Sequence, residues 1–168
     1  MDVHALLSAT HILGAVLGAG GAVFAEIFLL KSLRDGEVDP TESSFMKAAY
    51  AVIRAGLAIL ILSGFGFLLL FRLSGNEEAL LSPVLWAKLS IVIVILVNAV
   101  LLQTRRIPLA AGSALSLSSW LAATVLRPLD PSGSYVALMF GYVVSVAIVW
   151  IALHIIRRAL GVRFPDES

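Results

Sequence analysis

Two ionisable residues stand near opposite ends of the first long apolar stretch of the chain. His11 lies near its beginning and Glu26 near its end. A helix turns by about 100° per residue, so these two side chains share one face with the small residues between them: Gly14, Gly18, Ala22 and Ala25. An imidazole binds metals, and a carboxylate inside a membrane binds a proton or pairs with a cation. The stretch therefore predicts a helix with a smooth groove between two groups capable of chemistry.

The composition predicts the class of protein that holds this helix. The chain has 168 residues, of which 60% are hydrophobic and 14% charged, and its mean hydropathy is +0.99. A water-soluble domain of this size cannot bury so much apolar surface. Several apolar runs reach the length of about 20 residues that a membrane span needs, without the alternation typical of a β-barrel. We expect one all-α domain, multi-pass in the lipid bilayer of the inner (plasma) membrane.

The same composition excludes several functions. A net charge of +1 provides no basic field for nucleic acid. The sequence has no cysteine, which excludes disulfides, thiolate metal sites and iron–sulfur clusters. No basic region precedes the first apolar run, and Lys31 and Arg34 follow it, so we expect it to remain as an anchor.

Five spanning helices are predicted, at about 4–33, 40–73, 82–104, 109–126 and 134–160. Asp39, Pro40 and Glu42 have the order of an N-cap, a first-turn proline and an acidic third position. Basic residues then set the orientation, because they concentrate in cytoplasmic connections. One side collects Lys31, Arg34, Lys47, Arg105, Arg106, Arg157, Arg158 and Arg163, and the other has Arg72, Lys88 and Arg127. This asymmetry predicts an outer N-terminus and a cytoplasmic C-terminus.

A polar layer is expected near the cytoplasmic side. Its members are Glu26, Arg54, Asn98, Gln103 and His154. Glu26 and Arg54 lie at similar predicted depth on consecutive antiparallel helices, so we predict that they form an ion pair. A structural pair is favoured over a proton or substrate site, and a solvated position is favoured for His154.

A second layer near the outer side has the components of a haem b pocket. His11 provides an imidazole for the iron, and Met139 is expected at the same level across the bundle. Arg72, Lys88 and Arg127 are the candidates for binding the propionates. The last helix adds one face that carries Tyr135, Met139, Tyr142, Val143, Val146, Trp150 and His154. This face is interpreted either as a pocket wall or as an interfacial aromatic belt with ordinary packing.

Copper and zinc sites are less well supported than haem. Copper(I) prefers sulfur ligands, and the three methionines, Met1, Met46 and Met139, are widely separated. For zinc, the sequence lacks a group of His and Glu residues on one helix face that could bind the ion.

Two stretches resemble known families. His11-Ile-Leu-Gly through Gly20-Gly21, and Ser82-Pro83 through Trp86, Lys88 and Asn98, are similar to the first and third helices of the CopD-type copper-resistance membrane domain. The HemJ-type protoporphyrinogen oxidases look like distant relatives that share a first-helix histidine and a tryptophan-then-lysine helix start. The resemblance implies that His11 is a haem or metal ligand and Lys88 an intramembrane cation. It also implies either porphyrinogen oxidation or copper handling.

Three functions follow as hypotheses. The first is a haem-b-binding membrane redox protein, an oxidoreductase or electron-transfer protein with His11 as the axial ligand. The second is a transporter for copper or a small solute that uses Glu26, Arg54 and Lys88 along a path. The third is a non-catalytic assembly subunit whose glycine groove receives a helix of another protein. A homo-oligomer and a membrane redox partner both remain open as partners.

Overall fold

The structure, a computed structural model, describes residues 2–33, 39–125 and 134–162. Over these ranges the chain is all-helical, as its composition predicts. The helices are α1 (Val3–Ser32), α2 (Pro40–Leu73), α3 (Glu77–Leu81), α4 (Pro83–Gln103), α5 (Leu109–Val125) and α6 (Tyr135–Ala159). Helices α1, α2, α4 and α6 are long and apolar enough to cross a membrane, whereas α5 has 17 residues. The short helix α3 is an addition to the predicted segments.

Side chains at the helix starts explain where the helices begin. At α2 the Glu42 N–H donates to Asp39 Oδ1 at 2.7 Å, and the Asp39 N–H donates to Glu42 Oε2 at 3.4 Å. This reciprocal capping box satisfies backbone donors that the helix itself leaves unpaired. Asn76 caps α3 and Ser134 caps α6 in the simpler way, through one side-chain oxygen.

Glycines bring α1 and α2 into close antiparallel contact. A Cβ added to Gly56 of α2 would lie 2.5 Å from the Gly18 nitrogen and 2.9 Å from the Gly14 oxygen, so backbone packs on backbone. Further along, Gly21 faces Ile53. In lipid, where helices gain little from hydrophobic burial, such close contacts drive association. The groove predicted on α1 is therefore filled from within the same chain, by α2 at Gly14 and by α5 at Gly18.

Helix α5 occupies the centre of the bundle. It packs against α1, α4 and α6, and α4 also packs against α6. Trp120 of α5 is 1% exposed, and a Cβ added to Gly18 of α1 would overlap its indole ring. Around Trp120 the core cluster contains Ala22, Leu57, Leu60, Ile91, Ile95 and Tyr142. We call the two ends of the bundle on either side of this core the His11 end and the Glu26 end.

Candidate functional site

At the His11 end, the imidazole of His11 lies half-buried against α2. Its Nδ1 is 2.9 Å from Oγ of Ser63, which is buried. The Ser63 hydroxyl donates to the Ile59 carbonyl at 2.7 Å, so its oxygen is left to accept from Nδ1–H. In a neutral ring this bond puts the hydrogen on Nδ1 and the lone pair on Nε2. Ser63 thereby sets both the tautomer and the orientation of His11.

Helix α2 also shapes the surroundings of this ring. Phe67 meets His11 edge-on, with ring centroids 5.7 Å apart and an interplanar angle of 83°. On its other side Phe67 meets His4 at 5.6 Å. Gly64, which has no side chain, lies beside the imidazole: a Cβ added to it would be 3.8 Å from His11 Cε1. The candidate site thus consists of His11 with Ser63, Gly64 and Phe67.

The other described residues predicted for a haem pocket lie on α2, α4 and α6. Met139, on α6, is half-buried and packs against the Trp120 core cluster. Arg72 is exposed in the last turn of α2, and Lys88 is half-buried on α4 beside the fully buried Ala87. Arg127 lies outside the described residues.

The residues of the predicted face of α6 differ in their exposure. Tyr142 is buried and its hydroxyl is 2.8 Å from Ser119 Oγ, but Tyr135, Trp150 and His154 are exposed. A groove opens between α5 and α6, with Gly141, Tyr142 and Ser145 among its lining residues. His11 does not line this groove, so the groove and the imidazole are separate features.

A buried ion pair lies at the Glu26 end, with a partner different from the predicted one. Arg157 Nη2 donates to Glu26 Oε1 at 2.7 Å, and both residues are 5% exposed. Arg157 also donates to the Ala110 carbonyl at 2.9 Å and to Ser113 Oγ at 2.7 Å. The pair therefore joins α1, α5 and α6. The prediction that Arg54 pairs with Glu26 is wrong, because Arg54 is exposed on α2.

The register of α1 on α2 explains this correction. Gly21 faces Ile53, so Arg54 lies near the level of Gly21, about 8 Å along the axis from Glu26. A signal for Arg157 exists in the sequence. The buried residues Tyr142 and Leu153 are three turns apart on α6, and Arg157 follows on the same face one turn later. Arg157 and Arg158 were both counted among the basic residues of the cytoplasmic side, and of the two only Arg158 is exposed.

Asn98 ties α4 to the same end of the bundle. Its side chain is 2% exposed, and Nδ2 donates to the Gly112 carbonyl of α5 at 2.9 Å. This amide holds two helices together where the small Gly112 allows close approach. Glu26 and Arg157 are thus paired beside α5, and Asn98 is hydrogen-bonded to α5 nearby. Arg54 is not part of this group.

The side chains available as metal ligands limit which metal or cofactor each end of the bundle could bind. Among the described residues, no group of three or more His, Asp or Glu side chains is placed to bind a metal ion. A haem needs fewer protein ligands than a bare metal ion, because its porphyrin supplies four nitrogens. Comparisons of the chain with protein-family models, curated proteins and solved structures find no match.

Proposed function

We propose that the chain is a membrane haem b protein in which His11 supplies the axial ligand of the iron. The hydrogen bond between His11 Nδ1 and Ser63 Oγ carries this proposal. Metal-binding histidines are typically oriented by a hydrogen bond from the second ring nitrogen, and Ser63 provides such a bond. The same bond leaves Nε2 as the basic nitrogen of His11.

The residues around His11 fit a porphyrin better than a metal ion bound by side chains alone. Gly64 leaves room beside the ring, and Phe67 provides an apolar aromatic edge. In this proposal His11 is the protein ligand of the iron, and Met139, which packs against the Trp120 core cluster, is not used. Arg72 and Lys88, both at the His11 end, are the proposed partners of the propionates.

Each residue then has a defined task. When bound, the haem supplies a centre that gains and loses one electron. His11 would hold it through Nε2, and Ser63 would keep the imidazole in one tautomer through the bond to Nδ1. Electron transfer or porphyrinogen oxidation is the activity that we propose, the latter because the HemJ resemblance implies it.

The proposal includes the arrangement in the membrane. We propose five spanning helices in the plasma membrane, because α5, at about 26 Å, is close to the thickness of the hydrocarbon core. The described basic residues at the Glu26 end are Lys31, Lys47, Arg105, Arg106, Arg157 and Arg158. This bias favours a cytoplasmic Glu26 end and an outer His11 end.

The absorption spectrum of the purified protein tests the proposal. After expression with a haem precursor, wild type should show a Soret band that His11→Ala loses. The chain has two further histidines as matched controls, His4 and His154, both exposed. His4→Ala and His154→Ala should keep the band. A colourless wild type, or a band that survives in His11→Ala, would contradict the proposal.

A further inference from the structure

Charged residues at the Glu26 end are distributed unevenly over the helices. Helices α4, α5 and α6 contain no acidic residue, and neither does the connection from α4 to α5. Three arginines are exposed at this end of the same helices: Arg105 and Arg106 in the connection, and Arg158 in the last turn of α6. Basic residues are common on the cytoplasmic side of membrane proteins, but no carboxylate of these three helices compensates them. This edge of the bundle is therefore positively charged.

The three guanidinium groups have no hydrogen bond or ion pair with any residue of 2–33, 39–125 and 134–162. The carboxylates described at the same end are already engaged. Glu26 pairs with Arg157, and Asp39 and Glu42 form the capping box at the start of α2. An anion from outside the chain is the remaining kind of partner for these arginines.

The connection between α4 and α5 holds two of the arginines in a defined turn. Arg105 has a φ of +54°, in the left-handed region that glycine usually occupies after a helix. Its N–H donates to the Leu102 carbonyl at 3.1 Å, and the Arg106 N–H donates to the Leu101 carbonyl at 2.9 Å. Because backbone groups already satisfy these carbonyls, neither arginine side chain is needed to cap α4.

The third arginine borders the same part of α5. Arg157 donates to the carbonyl of Ala110, which lies in the first turn of α5. Arg158 is the next residue of α6, and α5 begins three residues after Arg106. The arginines of the connection and of α6 thus flank the start of α5.

We propose that Arg105, Arg106 and Arg158 bind the phosphate group of an anionic phospholipid in the leaflet at the Glu26 end. Guanidinium groups bind phosphate through paired N–H donors, and basic sites at helix ends attract anionic headgroups. Ile151 and Ile155 are 56% and 61% exposed and share a helix face with Arg158, so the acyl chains have an apolar surface directly below the headgroup. This inference is independent of haem binding.

Spin-label electron paramagnetic resonance of the chain in phosphatidylcholine vesicles tests the inference. The motionally restricted fraction is compared for spin-labelled phosphatidylglycerol and spin-labelled phosphatidylcholine. Wild type should restrict phosphatidylglycerol preferentially, and Arg105→Gln combined with Arg106→Gln should lower this preference several-fold. Lys31→Gln combined with Lys47→Gln is the matched control, because it removes the same charge from α1 and α2 at the same end. The control should keep the preference.

Two further arms make the test specific. Arg158→Gln, a single change at an exposed position, should also lower the preference, and it carries the test if circular dichroism shows that the double arginine variant does not fold. Inorganic phosphate added at constant ionic strength should leave the preference unchanged, and displacement of the lipid would show a site for free phosphate instead. No preference in wild type, an unchanged preference in Arg158→Gln, or equal losses in the two double variants would overturn the proposal.

Discussion

Replacing Gly56 by alanine should destabilise the bundle even though alanine is the better helix former. The new Cβ would lie 2.5 Å from the Gly18 nitrogen and 3.0 Å from its Cα. Ordinary contacts are about 3.5–4.0 Å, so α1 and α2 must separate by about 1 Å. Both opposing atoms are backbone, and no side-chain rotation relieves them. We expect a net loss of about 1–3 kcal/mol in the free energy of unfolding, after a gain of about 1 kcal/mol from helix propensity.

Gly20→Ala is the matched control, because a Cβ there meets nothing within 4 Å although Gly20 is on the same α1 helix as Gly18. This variant should be as stable as wild type, or more stable by up to about 1 kcal/mol. Reversible unfolding by sodium dodecyl sulfate in mixed micelles, followed by circular dichroism, measures both variants. Equal stability of Gly56→Ala and Gly20→Ala would refute the backbone-to-backbone contact.

Three further predictions concern the ion pair, the histidine and the topology. In the same unfolding assay, Arg157→Leu should lower the free energy of unfolding by about 3–5 kcal/mol, because it leaves a buried carboxylate without its cation. Arg54→Leu should change this free energy by no more than about 0.5 kcal/mol. Equal losses in the two variants would contradict the Glu26–Arg157 pairing. Ser63→Ala should weaken haem retention about 10- to 100-fold in a competition assay with apomyoglobin, and unchanged retention would remove Ser63 from the site. Since the chain lacks cysteine, single cysteines can report the topology. Asn76→Cys, at the His11 end, should react with an impermeant maleimide in intact cells, and Thr104→Cys, at the Glu26 end, should not. The reverse labelling pattern would show that the Glu26 end is the outer one.

The helices could be predicted from the sequence because their causes are local. In lipid every backbone polar group needs an internal partner, so an apolar run of sufficient length becomes a helix. The start of α2 depends on Asp39, Pro40 and Glu42, which are neighbours in sequence. For the same reason the glycines of α1 predicted a close contact, although not which helix makes it.

The packing order could not be predicted, because it depends on contacts distant in sequence. Helix α5 is short and rich in serine, yet it lies at the centre of the bundle. Ser118 and Ser119 donate to the carbonyls of Ala114 and Leu115 on their own helix, which removes the cost of burying their hydroxyls. The partner of Glu26 depends on where α6 packs against α5, so Arg157, 131 residues away, was missed.

The candidate site was predicted in part. His11 was singled out by its residue type and its position on an apolar helix. Ser63, 52 residues away, could not be assigned to it, because that contact follows from the register between α1 and α2. Met139 was matched to His11 by predicted depth alone, and depth does not determine which helices face each other.

The ratio of haem to protein in the purified chain tests the central claim most directly. The pyridine haemochromogen spectrum gives the haem concentration, and amino-acid analysis of the same sample gives the protein concentration. We predict one haem b per chain in wild type and in His154→Ala, and a ratio near zero in His11→Ala. A ratio near zero in wild type, or an undiminished ratio in His11→Ala, would contradict the assignment of His11 as the haem ligand.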